Sequence, residues 1–197
     1  MKHFFSIIYK INYLLVLVLT CHFLPKAYSQ TGGTLDNSFA TVGFTSYGFP
    51  QANATCSAAA LQTDGKLVLA GQYTTGNTAT LAVVRFSNAG LPDSSFGING
   101  QVLITFTNRT VEASVVQILN DGSILIAGKS NNLPLLIKMN YSGMLSGNFG
   151  TAGILSFDNG LSGIIDLVIL EDGKIVGCAK KADQFCVFKR DENGLEE

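Results

Sequence analysis

One unit of sequence is written three times in this chain. "LQTDGKLVLAG" (Leu61 to Gly71) returns as "ILNDGSILIAG" (Ile118 to Gly128) and as "ILEDGKIVGCA" (Ile169 to Ala179). Upstream, "GTLDNSFATVG" (Gly33 to Gly43) becomes "GLPDSSFGING" (Gly90 to Gly100) and "GMLSGNFGTAG" (Gly143 to Gly153). Downstream, "LAVVRFSNAG" (Leu81 to Gly90) becomes "PLLIKMNYSG" (Pro134 to Gly143) and "FCVFKRDENG" (Phe185 to Gly194). The leading glycines fall at 33, 90, 143 and 194, so the unit is 57, 53 and 51 residues long. Self-similarity at a period near 50 means like units stacked on one another.

Each unit reads as four short strands. In the middle one these are Gln101 to Phe106, Ala113 to Leu119, Ser123 to Gly128 and Pro134 to Met139. Asp121-Gly122 falls between the second and third, as Asp64-Gly65 and Asp172-Gly173 do in the other units. Asp-Gly is a preferred pair for a two-residue type I′ hairpin, in which both central residues take positive φ. Phe39, Phe96 and Phe149 recur among glycines and read as buried anchors at the bends between units. In "KLVLAG", Leu67 and Leu69 share one face while Val68 and Ala70 share the other. A strand apolar on both faces must be covered on both, at about 1.5–3 kcal/mol for each fully buried Leu or Val. Polar substitutions at Leu69 or Ile126 are therefore expected to be severe. Four-stranded antiparallel units packed face to face are the blades of a β-propeller. The fold class expected is all-β, a partial propeller of about three blades, with units at 33–89, 90–142 and 143–193 and a fourth beginning at 194.

The succession "G-x-L-D-x-S-F-G-x-x-G", then "LQxDGKxLVAG", then "VVRF-xxxG" resembles the delta-60 repeat family of bacterial exported β-propeller proteins, over residues 33–197. Departures are Ala40 in the place of Gly97 and Gly150, Ser146 in the place of the Asp of "LD", "IVGCA" for the usual "AG" ending, and Lys189 where the first unit has Arg85. The resemblance implies an exported repeat scaffold within a larger protein and carries no family-wide activity. Three blades fall short of the ~4–8 that close a ring. The expectation is a fragment that packs against further blades of a longer chain, or else several copies that assemble.

Residues 1–29 have the layout of a cleaved secretory signal. A basic start (Lys2, His3, Lys10) leads into the apolar run Ile11 to Leu24, followed by "AYS" before Gln30. That run is shorter than the ~20 residues a spanning helix needs. A secreted, periplasmic or cell-surface protein of bacterial type is expected, with no membrane span after cleavage. Residues 30–197 keep ten of the thirteen Lys and Arg against all fourteen Asp and Glu, a net charge of −4. That balance argues against nucleic acid or an anionic membrane as partner.

Cleavage also removes His3 and His22, the two histidines of the chain. Ser-His catalysis and histidine-ligated metal go with them. Gly128-Lys129-Ser130 lacks the spacing of a phosphate loop, and no calcium-loop pattern is present. No cofactor or metal is expected. Cys178 and Cys186 flank a strand connection and could pair in an oxidising compartment. Asp64, Asp121 and Asp172 are explained by their turns, and Asp36 and Asp93 by Asx-type bends. Glu112, Asp158 and Asp166 break the repeat and are the acids a catalytic site would use. Arg85, Lys138 and Lys189 end the fourth run, where charge would blunt an outer edge strand. The repeated residues build blades, and the unique polar ones are few. The function expected is a binding scaffold presenting loops to a protein or glycan partner. The alternative is a carboxylate-dependent glycan-cleaving enzyme.

Overall fold

A computed structural model describes residues 32–50 and 52–196. The expected signal segment, residues 1–29, lies outside the described residues. The chain divides into two units, Met1–Leu35 and Asp36–Glu197. The first is described only as a turn at Gly32-Gly33 and the residues that follow it. The second holds every strand found among the described residues, and no helix occurs among them.

Its strands fall into three antiparallel sheets. Sheet 1 has the order β1 (Asn53–Leu61), β2 (Leu67–Thr75), β3 (Thr78–Phe86), β4 (Gln101–Thr107). Sheet 2 repeats it with β5 (Val111–Ile118), β6 (Ile124–Ser130), β7 (Leu133–Met139) and β8 (Ile154–Ser156). Sheet 3 has β9 (Ile164–Ile169), β10 (Ile175–Lys181) and β11 (Gln184–Arg190).

The sheets are offset from the sequence unit by one strand. β4 belongs to the second unit by sequence but pairs with β3 of the first, Val83 opposite Val102. β8 pairs with β7 in the same way, Leu136 opposite Leu155. The chain leaves β3, turns at Gly90, bends through Phe96 and returns antiparallel along the strand it has just left. The fourth run of a unit is therefore an interior strand in sheets 1 and 2, and the expectation that Arg85 and Lys138 guard an outer edge is corrected. Arg85 is fully buried.

Burial on both faces is realised in the middle sheet. Ile124 and Ile126 of β6 enter a core shared with Val68, Ala70, Leu81 and Val83 of sheet 1. Leu125 and Ala127, on the opposite face, enter a second core with Ile164, Leu167 and Ile175 of sheet 3. Alternation along one strand thus serves two interfaces. Leu69, whose face is turned away from sheet 2, is only half-buried. A severe effect of polar substitution holds for Ile126, at 1% exposure, and is weaker for Leu69.

The first strand of every sheet carries one extra residue at the same place. Ser57, Ser114 and Ile165 are each bulged opposite Ala70-Gly71, Ala127-Gly128 and Cys178-Ala179. In sheets 1 and 2 the residue at this place is the glycine of the "AG" ending, where a Cβ on Gly71 or Gly128 would run into the carbonyl oxygen of Thr55 or Glu112; sheet 3 carries Ala179 opposite its bulge.

Candidate functional site

The two ends of the sheets have different chemistry. At one end lie the Asp-Gly hairpins, whose geometry corrects the sequence reading. Gly65 N–H donates to Gln62 C=O (2.9 Å) and Gln62 N–H donates to Lys66 C=O (2.8 Å). The same two bonds recur around Gly122 and Gly173. Positive φ falls on the glycine, at 83°, 80° and 83°, and not on Asp64, Asp121 or Asp172. This is a type I turn followed by a left-handed glycine, the three-residue hairpin, rather than a two-residue type I′ turn. The aspartates recur because each accepts from the backbone two residues on: Lys66 N–H at 3.2 Å, Ser123 N–H at 2.9 Å and Lys174 N–H at 3.2 Å. The Ser123 N–H, the strongest influence on Asp121, holds that carboxyl below the usual range. A two-residue loop with both φ positive does occur, at Asn131-Asn132 (47° and 66°), at the opposite end.

The phenylalanines join units. Phe96 and Phe149 are buried, and each lies against the leading glycine of the next unit, Gly143 and Gly194. Phe39 lies against Gly90 in the same manner but is only half-buried.

Beside Phe96 is an ion network that sequence reasoning missed. Arg85 Nε donates to Asp93 Oδ2 (2.8 Å), and its other nitrogens reach Ser95 Oγ (3.2 Å), Gln62 Oε1 (3.4 Å) and the carbonyl of Tyr141 in the next unit. The guanidinium is sandwiched between Phe96 and Tyr141, 4.6 and 4.4 Å from the ring centres. Lys66 adds contacts to Asp93 (3.1 Å) and Tyr141 Oη (2.7 Å), and Tyr141 donates to Asp64 (2.7 Å). Burial pushes the Asp93 carboxyl up. The Ser95 hydroxyl and N–H, Lys66 and the Arg85 charge outweigh this and hold it well below the usual carboxylate range. Both carboxylates, Asp64 and Asp93, pair with a cation of the same network, and the contacts of Arg85 with Tyr141 lock one unit to the next. The network's signal in the sequence was the fixed distance of the base from the following glycine. Asp36 forms the expected bend, accepting from Ser38 N–H (2.9 Å) and its hydroxyl (2.7 Å).

The opposite end opens into a cleft of about 700 Å³ between sheets 1 and 2. Its walls carry amides and hydroxyls: Asn53, Thr55, Gln72, Thr74, Asn77, Asn108, Thr110 and Asn131, with Tyr73 and Arg109. The turns Gly76-Asn77 and Asn131-Asn132 and the link from β4 to β5 place them. Gln72 Oε1 accepts from Ser57 Oγ (3.3 Å) and from Ala113 N–H of sheet 2 (3.4 Å), which fixes the floor across the sheet boundary. Asn131 Oδ1 accepts from Thr110 N–H at 2.8 Å. Glu112 lines the cleft and pairs with Lys129 at 3.1 Å. Asp158 and Asp166 do not line it; Asp158 accepts from Gly160 N–H and Asp166 lies at β9. The three nominated acids are not brought to one place. No group of three or more His, Cys, Asp or Glu able to hold a metal ion is found among the described residues.

Cys178 and Cys186 are free thiols. Ala179 stands opposite Cys186, and Cys178 opposite Val187, so the two sulfurs lie on opposite faces of sheet 3. The disulfide considered from sequence is excluded by this register.

A family model described as "Domain of unknown function (DUF5122) beta-propeller" matches residues 62–96, from the first Asp-Gly hairpin through β2 and β3 to Phe96. No curated protein gives a significant match. Three antiparallel sheets packed through their faces, in a stack that is not closed, together with this match, define an all-β partial propeller. Among the described residues no helix is long and apolar enough to cross a membrane.

Proposed function

We propose that the chain is an exported propeller scaffold of the delta-60 kind that binds a neutral glycan in the cleft between sheets 1 and 2. The observation that carries this reading is the lining: amide and hydroxyl side chains from both sheets, beside one tyrosine ring, around a volume of about 700 Å³. Amides and hydroxyls match the alternating donors and acceptors of a sugar, and a ring face takes its apolar side. The cleft holds little net charge, since Glu112 is paired with Lys129 and Arg109 is the other charged wall residue. Binding is favoured over cleavage because glycoside hydrolysis uses two carboxylates ~5–9 Å apart across the scissile bond, and of the three nominated acids only Glu112 reaches the cleft.

The test is an oligosaccharide array followed by calorimetry with the best neutral glycan. Asn77→Ala and Asn53→Ala, both at exposed positions of the cleft wall, should weaken binding without changing the melting temperature. An array with no signal for neutral glycans, or binding indifferent to both substitutions, would sink the proposal.

A further inference from the structure

A second cleft adjoins the first. It lies at the same end of the sheets, between sheets 2 and 3, and has a volume of about 420 Å³. Both clefts fall in the ~300–1,000 Å³ range of small-molecule sites. Ser114 and Lys129 line the second from sheet 2, and Ser162, Gly163 and Ile165 line it from β9 and the link before it. Glu112 of β5 lines both clefts. Its side chain is half exposed, so the wall they share is open to solvent there.

The repeat shows how the two differ. Gln72 of β2 and Lys129 of β6 hold the same place in their units, and so do the bulged residues Ser57 and Ser114. In sheet 1 the Ser57 hydroxyl donates to Gln72 Oε1 (3.3 Å). In sheet 2 an ammonium stands in the place of that amide. It offers no acceptor, and it pairs with Glu112 at 3.1 Å. The exposed Ser114 hydroxyl therefore lacks the acceptor that Ser57 has. Sheet 3 departs further. Its bulge holds Ile165, 52% exposed, where the other sheets carry serine. The link before β9 lies directly on the stem of Lys129, since a Cβ on Gly163 would stand 2.9 Å from the Lys129 Cβ. Hydroxyls, an ion pair and an exposed apolar side chain thus line the second cleft, as amides, hydroxyls and the Tyr73 ring line the first.

We infer that the two clefts form one groove for the interior of a linear polysaccharide, several sugar units long, which crosses from sheet 1 to sheet 3 over the Glu112–Lys129 pair. This rests on the reading of the first cleft as a glycan site. Neither cleft is a closed pocket, so a chain can pass through rather than end there. At the crossing, the ammonium and the carboxylate offer charge-assisted hydrogen bonds to sugar hydroxyls. Ser114 and Ile165 then meet the next unit, one at its polar edge and one at its apolar face. Once the first cleft is filled, contacts in the second are made within one complex, so affinity rises with chain length until both are occupied.

The experiment is calorimetry of the full chain with length series of glucan, mannan and xylan oligosaccharides, from disaccharide to octasaccharide. In the series that binds, one octasaccharide per chain is expected, held roughly tenfold or more tighter than the trisaccharide. Two variants read the second cleft, and neither residue lines the first. Ile165→Ser gives sheet 3 the residue that sheets 1 and 2 carry at the bulge. Ser114→Arg fills the cleft with a long side chain. Melting temperature checks the fold of each, and either one alone is sufficient. Each should keep the trisaccharide affinity within about twofold of wild type while losing the gain with length. A merely structural role would weaken both lengths together. Affinity that does not rise with length while the trisaccharide still binds, or a gain that survives in a folded variant of each kind, would overturn the groove and leave the first cleft as a site for short glycans. No binding at any length would overturn this inference together with the reading it rests on.

Discussion

The ring of Phe96 lies against the α-carbon of Gly143, at a distance that leaves no room for a side chain. A Cβ built on Gly143 would stand 3.0 Å from the ring's Cε2 and 2.7 Å from Val102 Cγ2, and its φ of +90° is one that L residues avoid. The same contact joins Phe149 to Gly194 and Phe39 to Gly90. The leading glycine of each unit is thus the socket for the phenylalanine of the unit before it.

Gly143→Ala should therefore destabilise the protein by roughly 2 kcal/mol or more, through overpacking and backbone strain acting together. Gly147→Ala, with no neighbouring atom within 4 Å, is the control and should be near neutral. Urea denaturation followed by fluorescence or circular dichroism reads both. Equal midpoints for the two variants would refute the socket.

Removing Asp93 leaves a guanidinium that is wholly buried and short of its carboxylate. Asp93→Ser should cost about 3 kcal/mol, in the range for breaking a buried pair. Sheet 2 carries Lys138 and Ser146 at these two positions, with Lys138 Nζ on the Glu192 carbonyl at 3.1 Å. The double variant Arg85→Lys with Asp93→Ser should consequently be more stable than Asp93→Ser alone. A double-mutant cycle showing simple additivity would contradict this.

Acid should find the same network. The Asp93 carboxyl is held below its ordinary value when folded. A carboxylate depressed in this way adds stability that is complete above its unfolded pKa of about 3.9 and is lost as pH falls through the folded value. Between pH 5 and strongly acid solution, roughly below pH 3, the melting temperature of the wild type should fall more steeply than that of Asp93→Asn. Parallel curves would show that Asp93 does not couple to folding.

Cys178 and Cys186 point away from each other through sheet 3. Reductant should leave the melting temperature unchanged, and the double variant Cys178→Ser with Cys186→Ser should migrate identically to wild type on non-reducing gels. A reductant-sensitive transition would show a register different from the one described.

The hairpins discriminate between turn types. Asp121→Asn keeps the acceptor for Ser123 N–H and should be tolerated, while Gly122→Val places a β-branched residue at φ 80° and should cost roughly 2 kcal/mol. Asp121→Gly should also destabilise, by loss of the side-chain acceptor, whereas a type I′ turn would accept it readily. Thermal melts of the three variants decide.

Much of the blade is legible in the sequence. The strands of the middle unit were placed within about two residues, the usual uncertainty of element boundaries, because period-2 apolar runs and Asp-Gly punctuation are local signals. Phe96 and Phe149 were correctly read as buried anchors. Phe39 was not buried to the same degree, since that depends on a neighbour. Arg85 was misplaced for a related reason. A base next to an apolar run looks like an edge charge until the following unit is seen to fold its first strand over it. The cleft had no signal at all, because Asn53, Gln72, Asn108 and Asn131 are separated in the chain and converge only when two sheets stack.

By itself the sequence determined the repeat, the strands and the positions, though not the type, of the tight turns, since these rest on φ preferences and side-chain alternation within a few residues of one another. Only the tertiary structure decided which strand joins which sheet, that Arg85 is interior, that Cys178 and Cys186 face apart, and that a polar cleft exists. Those outcomes depend on registers and contacts between segments tens of residues apart, and no local energy encodes them until the sheets are packed face to face.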